Sequence, residues 1–267
     1  IAVTDTSYQY NTLGQLETVE LYAHDDQALA EPEVTTYQYD AAGAVSLVTL
    51  SNGVTCEYIY DELRQLDQLT HYAPEEGGGI TDDYIDNRMI AAFGYDYDSS
   101  GRRTSVLEQF DTDGAAGFEL VQSFVWEYDD LDRLTSETFD LGVNGSTTGD
   151  YVTMYSFDLN DNRFSKATQH DAVTLVTADE TVSYTYDGNN RLLTETLDAA
   201  GTVDDRTTVY HYGIAYDRTE QTGKTVHDGL DDTGTVLEEV TQEYNLASRQ
   251  VGTEIDRTGS GGGLEIT

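Results

Sequence analysis

The stretch Tyr184-Thr185-Tyr186-Asp187-Gly188-Asn189-Asn190-Arg191-Leu192 carries a complete strand, turn and strand in nine residues. Tyr184 and Tyr186 alternate with a polar residue, the period of a strand with one aromatic face. Asp187 supplies the carboxylate of an Asx turn, and the Gly and Asn residues behind it tolerate positive φ, so the chain reverses. Arg191 is placed to reach back to the turn carboxylate, and Leu192 begins the return strand.

Read outward from there, the phrase recurs eight more times: YQYNTLGQL from Tyr8, YQYDAAGAV from Tyr37, YIYDELRQL from Tyr58, YDYDSSGRR from Tyr95, WEYDDLDRL from Trp126, YSFDLNDNR from Tyr155, YHYGIAYDR from Tyr210 and QEYNLASRQ from Gln242. The second aromatic falls at Tyr10, Tyr39, Tyr60, Tyr97, Tyr128, Phe157, Tyr186, Tyr212 and Tyr244, a mean spacing of about 29 residues. Three copies depart from the pattern. Gly213 stands where Asp is expected, Gln242 replaces the first aromatic, and Glu62-Leu63-Arg64 lacks the turn Gly.

Between copies lie further hairpin signals, among them Ser51-Asn52-Gly53, Asp113-Gly114, Asn144-Gly145 and Thr233-Gly234. Helical periodicity with caps is absent. The expectation is an all-β chain, a continuous antiparallel meander of hairpins with some eighteen strands forming a curved or spiral sheet. The array covers residues 1–258, and 259–267 read as a Gly-rich linker or tail, whereas Pro74-Glu75-Glu76-Gly77-Gly78-Gly79, flexible by composition, reads as a surface loop. Ile1-Ala2-Val3-Thr4 is neither an initiator Met nor a signal peptide and suggests an internal piece of something longer.

The 267 residues hold 51 Asp and Glu against 13 Lys and Arg, a net charge of −38. Such a surface repels phosphate backbones and anionic lipid, which argues against nucleic-acid binding. No apolar run is long enough to span a membrane. Hydrophobic residues are 38% of the chain, but 20 Tyr, 7 Phe and 1 Trp exceed what a disordered acidic polymer carries, so the Tyr rows are expected to supply the packing.

At this point the aromatic-x-Tyr-Asp phrase with its following Gly, Arg and Leu resembles the YD repeat, also called the RHS repeat. The resemblance covers essentially the whole chain. It implies an extracellular β-structure of hairpins wound in a spiral sheet, which closes into a hollow shell in bacterial toxin complexes, Rhs polymorphic toxins and teneurins. No stretch resembles the family segment that ends a shell and releases a C-terminal toxin.

The residues expected to matter are structural: the nine second aromatics, the turn acids Asp40, Asp61, Asp98, Asp129, Asp158 and Asp187, and the turn arginines Arg64, Arg102, Arg133, Arg163, Arg191 and Arg249. Each guanidinium fork is expected to stitch its turn, which Arg does bidentately and Lys does not. Cys56, the single cysteine, reads as a small buried hydrophobe. His24, His71, His170, His211 and His227 share no repeat position and read as scattered surface residues, so no thiol–imidazole pair is expected.

Adjacent acids follow from 51 carboxylates and mark no acid–base site. Asp111-Thr112-Asp113-Gly114 and Asp158-Leu159-Asn160-Asp161-Asn162 open like calcium loops without the closing Glu, which leaves no expected cofactor beyond diffuse or weak calcium binding. The expected role is a non-enzymatic scaffold, a wall segment of a larger extracellular or cell-surface assembly whose partners are further repeats of the same parent chain or neighbouring copies. The alternative is a filament or adhesin module that binds carbohydrate or a partner protein through exposed aromatics.

Overall fold

The computed structural model describes residues 5–24, 27–74, 88–111, 120–142, 147–174, 177–200, 205–213, 220–244, 250–257 and 265–266. Among them there is no helix. The strands are β1 (Asp5–Tyr10), β2 (Leu16–His24), β3 (Gln27–Tyr39), β4 (Val45–Thr49), β5 (Thr55–Tyr60), β6 (Leu66–Tyr72), β7 (Met89–Tyr97), β8 (Arg103–Phe110), β9 (Leu120–Tyr128) and β10 (Leu134–Asp140). They continue as β11 (Tyr151–Phe157), β12 (Arg163–His170), β13 (Glu180–Tyr186), β14 (Leu192–Ala199), β15 (Arg206–Tyr212), β16 (Gln221–Asp228), β17 (Val236–Tyr244), β18 (Gln250–Arg257) and β19 (Glu265–Ile266).

The chain forms two compact units: residues Ile1–Trp126 with Phe139–Ser146, and Glu127–Thr138 with Thr147–Thr267. The division falls inside a repeat, not at a linker. In the first unit each strand from β1 to β9 pairs antiparallel with the next. In the second the same holds from β11 to β19. The fold is all-β, and each unit is an antiparallel meander.

One break in the strict alternation recurs at a fixed place in the repeat. The register slips immediately before the second aromatic in Tyr10, Tyr39, Tyr60, Tyr97, Phe157, Tyr186, Tyr212 and Tyr244. A bulge there adds local twist and re-aims the side chain at the strand end. In seven of these copies the second aromatic faces the residue six positions on, as Tyr186 faces Leu192 and Tyr60 faces Leu66.

The buried core differs from the expected Tyr rows. It is built at mid-strand from small and β-branched residues: Leu47, Val48, Cys56, Ala92, Val106, Val152, Val182 and Val240, with Thr55, Thr70, Thr153, Thr168 and Thr207 beside them. Thr55 with Cys56, and Val152 with Thr153, are consecutive and therefore point to opposite faces, and all four are buried. Thr153 and Thr168 satisfy one another across strands at 3.0 Å and Thr207 donates to the carbonyl of Gly229, whereas the Thr55 hydroxyl is buried without a partner. The internal second aromatics Tyr39, Tyr60, Tyr97, Phe157, Tyr186 and Tyr212 are half-buried. Their position beside the turn leaves one edge of each ring in solvent.

Candidate functional site

Seven of the nine phrases fold into one turn. The backbone N–H of the Asp or Asn donates to the carbonyl four residues on, and the N–H three residues on donates back, as in Asp187 with Arg191 at 3.0 Å and Asn190 at 3.0 Å. The pattern repeats at Asn11, Asp40, Asp61, Asp98, Asp129 and Asp158. The side-chain Oδ1 then accepts the N–H at the fourth position in every one, at 2.8–3.0 Å. An aspartate or asparagine is required because a short side-chain oxygen must reach a backbone amide of its own turn.

The third position after the Asp or Asn is left-handed in all seven turns: Gly14, Gly43, Arg64, Gly101, Asp132, Asp161 and Asn190 have φ of 78°, 87°, 68°, 83°, 64°, 66° and 60°. Arg64 therefore occupies the glycine slot, not the arginine slot. Its guanidinium does not close its own turn at Asp61. It reaches Asp40 in the preceding turn at 2.7 Å, where Ala44 occupies the arginine position.

The true arginine position is the fourth after the Asp. Arg102, Arg133 and Arg191 hold it, and their Nε donates to Oδ2 of Asp98, Asp129 and Asp187 at 2.6–2.7 Å. Asn162 replaces the arginine beside Asp158 and donates its amide to Oδ2 at 3.0 Å. The carboxyls of Asp129 and Asp40 are held below the usual range by the facing Arg133 and Arg64, and that of Asp187 by the Arg191 amide and then its guanidinium. One residue further on, Arg103 and Arg163 leave the turn and lie over the first aromatics Tyr95 and Tyr155, at 4.5 and 5.7 Å from the ring centres.

Neighbouring turns are linked to one another. In the first unit Gln15 donates to the carbonyl of Gly43 and Arg64 binds Asp40. In the second, Arg133 bridges from Asp129 to Asp161 at 2.7 Å and lies 4.7 Å over the Phe157 ring, while Asn162 donates to Asn190 at 3.0 Å. Arg191 covers Tyr212 in the way Arg133 covers Phe157.

A second link runs through the tyrosines. The hydroxyl of Tyr39 donates to the carbonyl of Leu16, Tyr60 to Val45, Tyr97 to Leu66, Tyr186 to Arg163 and Tyr212 to Leu192, at 2.6–3.0 Å. Each acceptor lies six residues after the second aromatic of the preceding copy, so every one of these bonds is a rung between successive repeats. The sequence marks this only as a preference for Tyr over Phe, and the rung itself went unforeseen.

No family model and no curated protein sequence matches the chain. Among solved structures, the TcdB2-TccC3-TEV crystal structure aligns over 95% of this chain and 14% of its own, at 15% identity and a TM-score of 0.49. The Photorhabdus luminescens Tc holotoxin pore aligns over 96% and 14%, at 15% identity and a TM-score of 0.47. TcdB2-TccC3 without its hypervariable C-terminal region aligns over 97% and 16%, at 12% identity and 0.47. The chain thus spans about one seventh of these chains. In this chain itself, seven of the nine copies share one turn and five carry the rung. The chain is an array of aromatic-turn repeats.

One copy departs in structure as well as in letters. At Gly213 the N–H donates to the carbonyl of Glu220 at 3.2 Å in place of the carbonyl four residues on. The turn after Tyr244 lies outside the described residues, and Arg249 with it, as do Arg218, Asp113-Gly114, Asn144-Gly145, residues 77–79 and the Gly-rich run at 259–263. The Tyr244 side chain is likewise outside them, although its backbone closes β17.

The histidine reading needs correction at one residue. His71 sits on β6 directly across from Cys56 on β5, and its Nδ1 is 3.2 Å from the Cys56 Sγ. The pairing register of the two strands, not any sequence spacing, makes this contact. Burial pushes the Cys56 thiol up and the His71 imidazole down, so both are neutral at neutral pH. His71 also meets the Phe93 ring edge-on, with centres 5.9 Å apart. The arrangement is that of a packed pair, lacking the thiolate that nucleophilic chemistry needs.

The Asp158–Asn162 segment is one of the repeat turns. Its Asp158 Oδ1 accepts the N–H groups of Asn160 and Asn162, and Oδ2 accepts the Asn162 amide. Asp111 pairs with Arg88, and residues 112–114 lie outside the described ones.

Proposed function

We propose that this chain is a non-enzymatic wall segment of a larger extracellular YD-repeat assembly, a hollow shell in which each hairpin is a course of the wall. The observation that carries the reading is the rung. Every copy that makes one does so with the copy before it, so the array is built to be extended at its first strand. At β1 the two aromatics Tyr8 and Tyr10 are 58% and 61% exposed, against the half-buried aromatics of internal copies. Tyr10 presents its hydroxyl where a preceding repeat would offer a carbonyl.

The partner is thus a further repeat of the parent chain or a neighbouring copy of this one. Acid across the surface limits non-specific sheet stacking. A filament would use the same β1 edge and is the second form such an extension takes.

Sedimentation velocity of the isolated chain at high salt, where the −38 charge is screened, tests the reading. Concentration-dependent association that Tyr10→Ser weakens is expected. A compact monomer at all concentrations, with β1 amides as protected from exchange as those of β5, overturns it.

A further inference from the structure

Successive turns meet through a pair of adjacent residues. In the first unit Gln15 donates its side-chain amide to the Gly43 carbonyl at 3.3 Å, and the next residue, Leu16, accepts the Tyr39 hydroxyl at 2.6 Å. The pair Gln65-Leu66 stands the same way on the fourth copy. The Leu66 carbonyl accepts the Tyr97 hydroxyl at 2.8 Å, and the Gln65 amide nitrogen lies 3.0 Å from where a Cβ on Gly101 would be. Each Gln-Leu pair thus caps a tyrosine and the glycine that closes its turn.

Where the third turn residue is not glycine, the residue that meets it changes. In the second unit Asp161 receives the Arg133 guanidinium at 2.7 Å, and Asn190 receives the Asn162 amide at 3.0 Å. The third copy, with Arg64 at this position, follows Ala44-Val45. Tyr60 still bonds the Val45 carbonyl, but Ala44 has nothing to donate and Arg64 turns to Asp40. The side chain before the rung is therefore matched to the next turn: glutamine to a glycine carbonyl, arginine to a carboxylate, asparagine to an amide. A glycine offers only its backbone oxygen, so it suits a neutral donor long enough to reach it, whereas a guanidinium there would lack the carboxylate that it finds at Asp161.

The first copy carries the glycine form. Tyr10 and Gly14 have the spacing of Tyr39 with Gly43 and of Tyr97 with Gly101, and the three glycines share a left-handed φ of 78°, 87° and 83°. Among the described residues nothing lies within 4 Å of a Cβ on Gly14, and Tyr10 is 61% exposed. We propose that the β1 edge receives a repeat hairpin with glutamine at the fourth position of its turn, as in Gln15-Leu16 and Gln65-Leu66. The glutamine amide donates to the Gly14 carbonyl, and the carbonyl of the residue after it accepts the Tyr10 hydroxyl. The proposal rests on the reading of β1 as the edge at which the array is extended, and adds to it the residue that selects the neighbour.

The test uses the intact chain, isotope-labelled, and an unlabelled backbone-cyclised hairpin peptide of the sequence Asp5–His24, which presents Gln15-Leu16. Saturable shifts of the Tyr10 ring and the Gly14 amide are expected, with binding about fivefold or more weaker when the peptide carries Gln15→Ala or Gln15→Arg. In the chain, Gly14→Asp places an aspartate at the left-handed φ that Asp132 and Asp161 adopt, so the Gln15→Arg peptide then binds better than the parent peptide. Equal binding of the three peptides to the parent chain overturns the glutamine preference while the extended edge stands. Absence of shifts at Tyr10 and Gly14 also overturns it, and the wall reading is then decided by sedimentation alone. A cycle inside the chain measures the matching independently of the peptide. Gln15→Arg with Gly43→Asp rebuilds the Arg133–Asp161 pair, so the two changes together are expected to lower the melting temperature by less than the sum of their separate effects. Zero or unfavourable coupling overturns the matching on which the proposal stands.

Discussion

The Tyr186 hydroxyl donates to the backbone carbonyl of Arg163 at 2.8 Å, binding the end of β13 to the start of β12 one repeat earlier. The bond joins a side chain fixed by one turn to a backbone group fixed by the turn before it. It explains why the second aromatic carries a hydroxyl although the ring is only half-buried: the ring closes the strand end and the hydroxyl sets the distance between repeats.

Removing that hydroxyl alone isolates the rung. Tyr97→Phe and Tyr186→Phe are each expected to lower stability by about 0.5–1.5 kcal/mol, at the low end for Tyr186 because water reaches its carbonyl. Tyr186→Ser costs more than Tyr186→Phe, yet less than the roughly 3 kcal/mol of a fully buried ring. Urea unfolding of the variants, compared at constant m-value, measures it, and equal stability of Tyr186→Phe and the parent chain rejects the rung as a stabilising bond.

The turn glycines divide by backbone angle. Gly101 has φ +83° and an added Cβ would stand 3.0 Å from the Gln65 amide, whereas Gly188 has neither a left-handed φ nor any neighbour within 4 Å. Gly101→Ala is therefore expected to destabilise by about 1 kcal/mol or more, and Gly188→Ala to be neutral or stabilising by up to about 1 kcal/mol. Thermal melts of the two variants side by side decide it, with the opposite order excluding this account of the turn.

Arg133 binds Asp129 and Asp161 and covers Phe157, whereas Arg257 pairs with Glu238 on an exposed strand end. Arg133→Lys keeps the charge and loses the planar fork and the ring contact, so it is expected to lower the melting temperature more than Arg257→Lys. A double-mutant cycle with Asp161→Asn measures the part that runs between turns. A coupling of zero would mean that the two turns are held together by the rungs alone.

Acid and alkali act on different groups. The Asp129 and Asp187 carboxyls are depressed, so their contribution is complete above the unfolded value near 4 and is lost as pH falls through the lower folded values. Tyr151 is raised, to about 12, by burial and by its bond to Glu137, so its contribution is complete below pH about 10 and is lost between there and about 12. Carboxyl-carbon NMR titration and tyrosinate absorbance follow the two ends. Ordinary midpoints for Asp129 and Asp187 would show the turn bonds to be absent in solution.

Much of this was legible in the chain because a turn is a local event. Asp187 and Arg191 are four residues apart, and their chemistry is readable from composition and spacing alone. Arg64 was misread because its slot is defined by a left-handed φ, which letters do not show, and its partner Asp40 lies 24 residues away. The half-burial of the tyrosines escaped because the bulge before each one interrupts the alternation on which the aromatic face was inferred. The two compact units had no composition signal, since their division falls within a repeat.

The Cys56–His71 contact bears on whether this chain performs chemistry. A nucleophilic cysteine is a thiolate stabilised by a neighbouring cation, with the proton held by an imidazolium. Here Cys56 is 6% exposed, burial pushes its thiol up, and burial pushes His71 down, so the proton stays on sulfur. The native thiol is expected to react with an aromatic disulfide reagent at neutral pH far more slowly than the unfolded chain, on a timescale set by opening of β5 from β6. His71→Phe keeps a ring beside Phe93 and is expected to leave the protection intact. Fast modification of the folded chain that disappears in His71→Phe would establish an ion pair at this site, and with it a nucleophile that a purely structural wall has no use for.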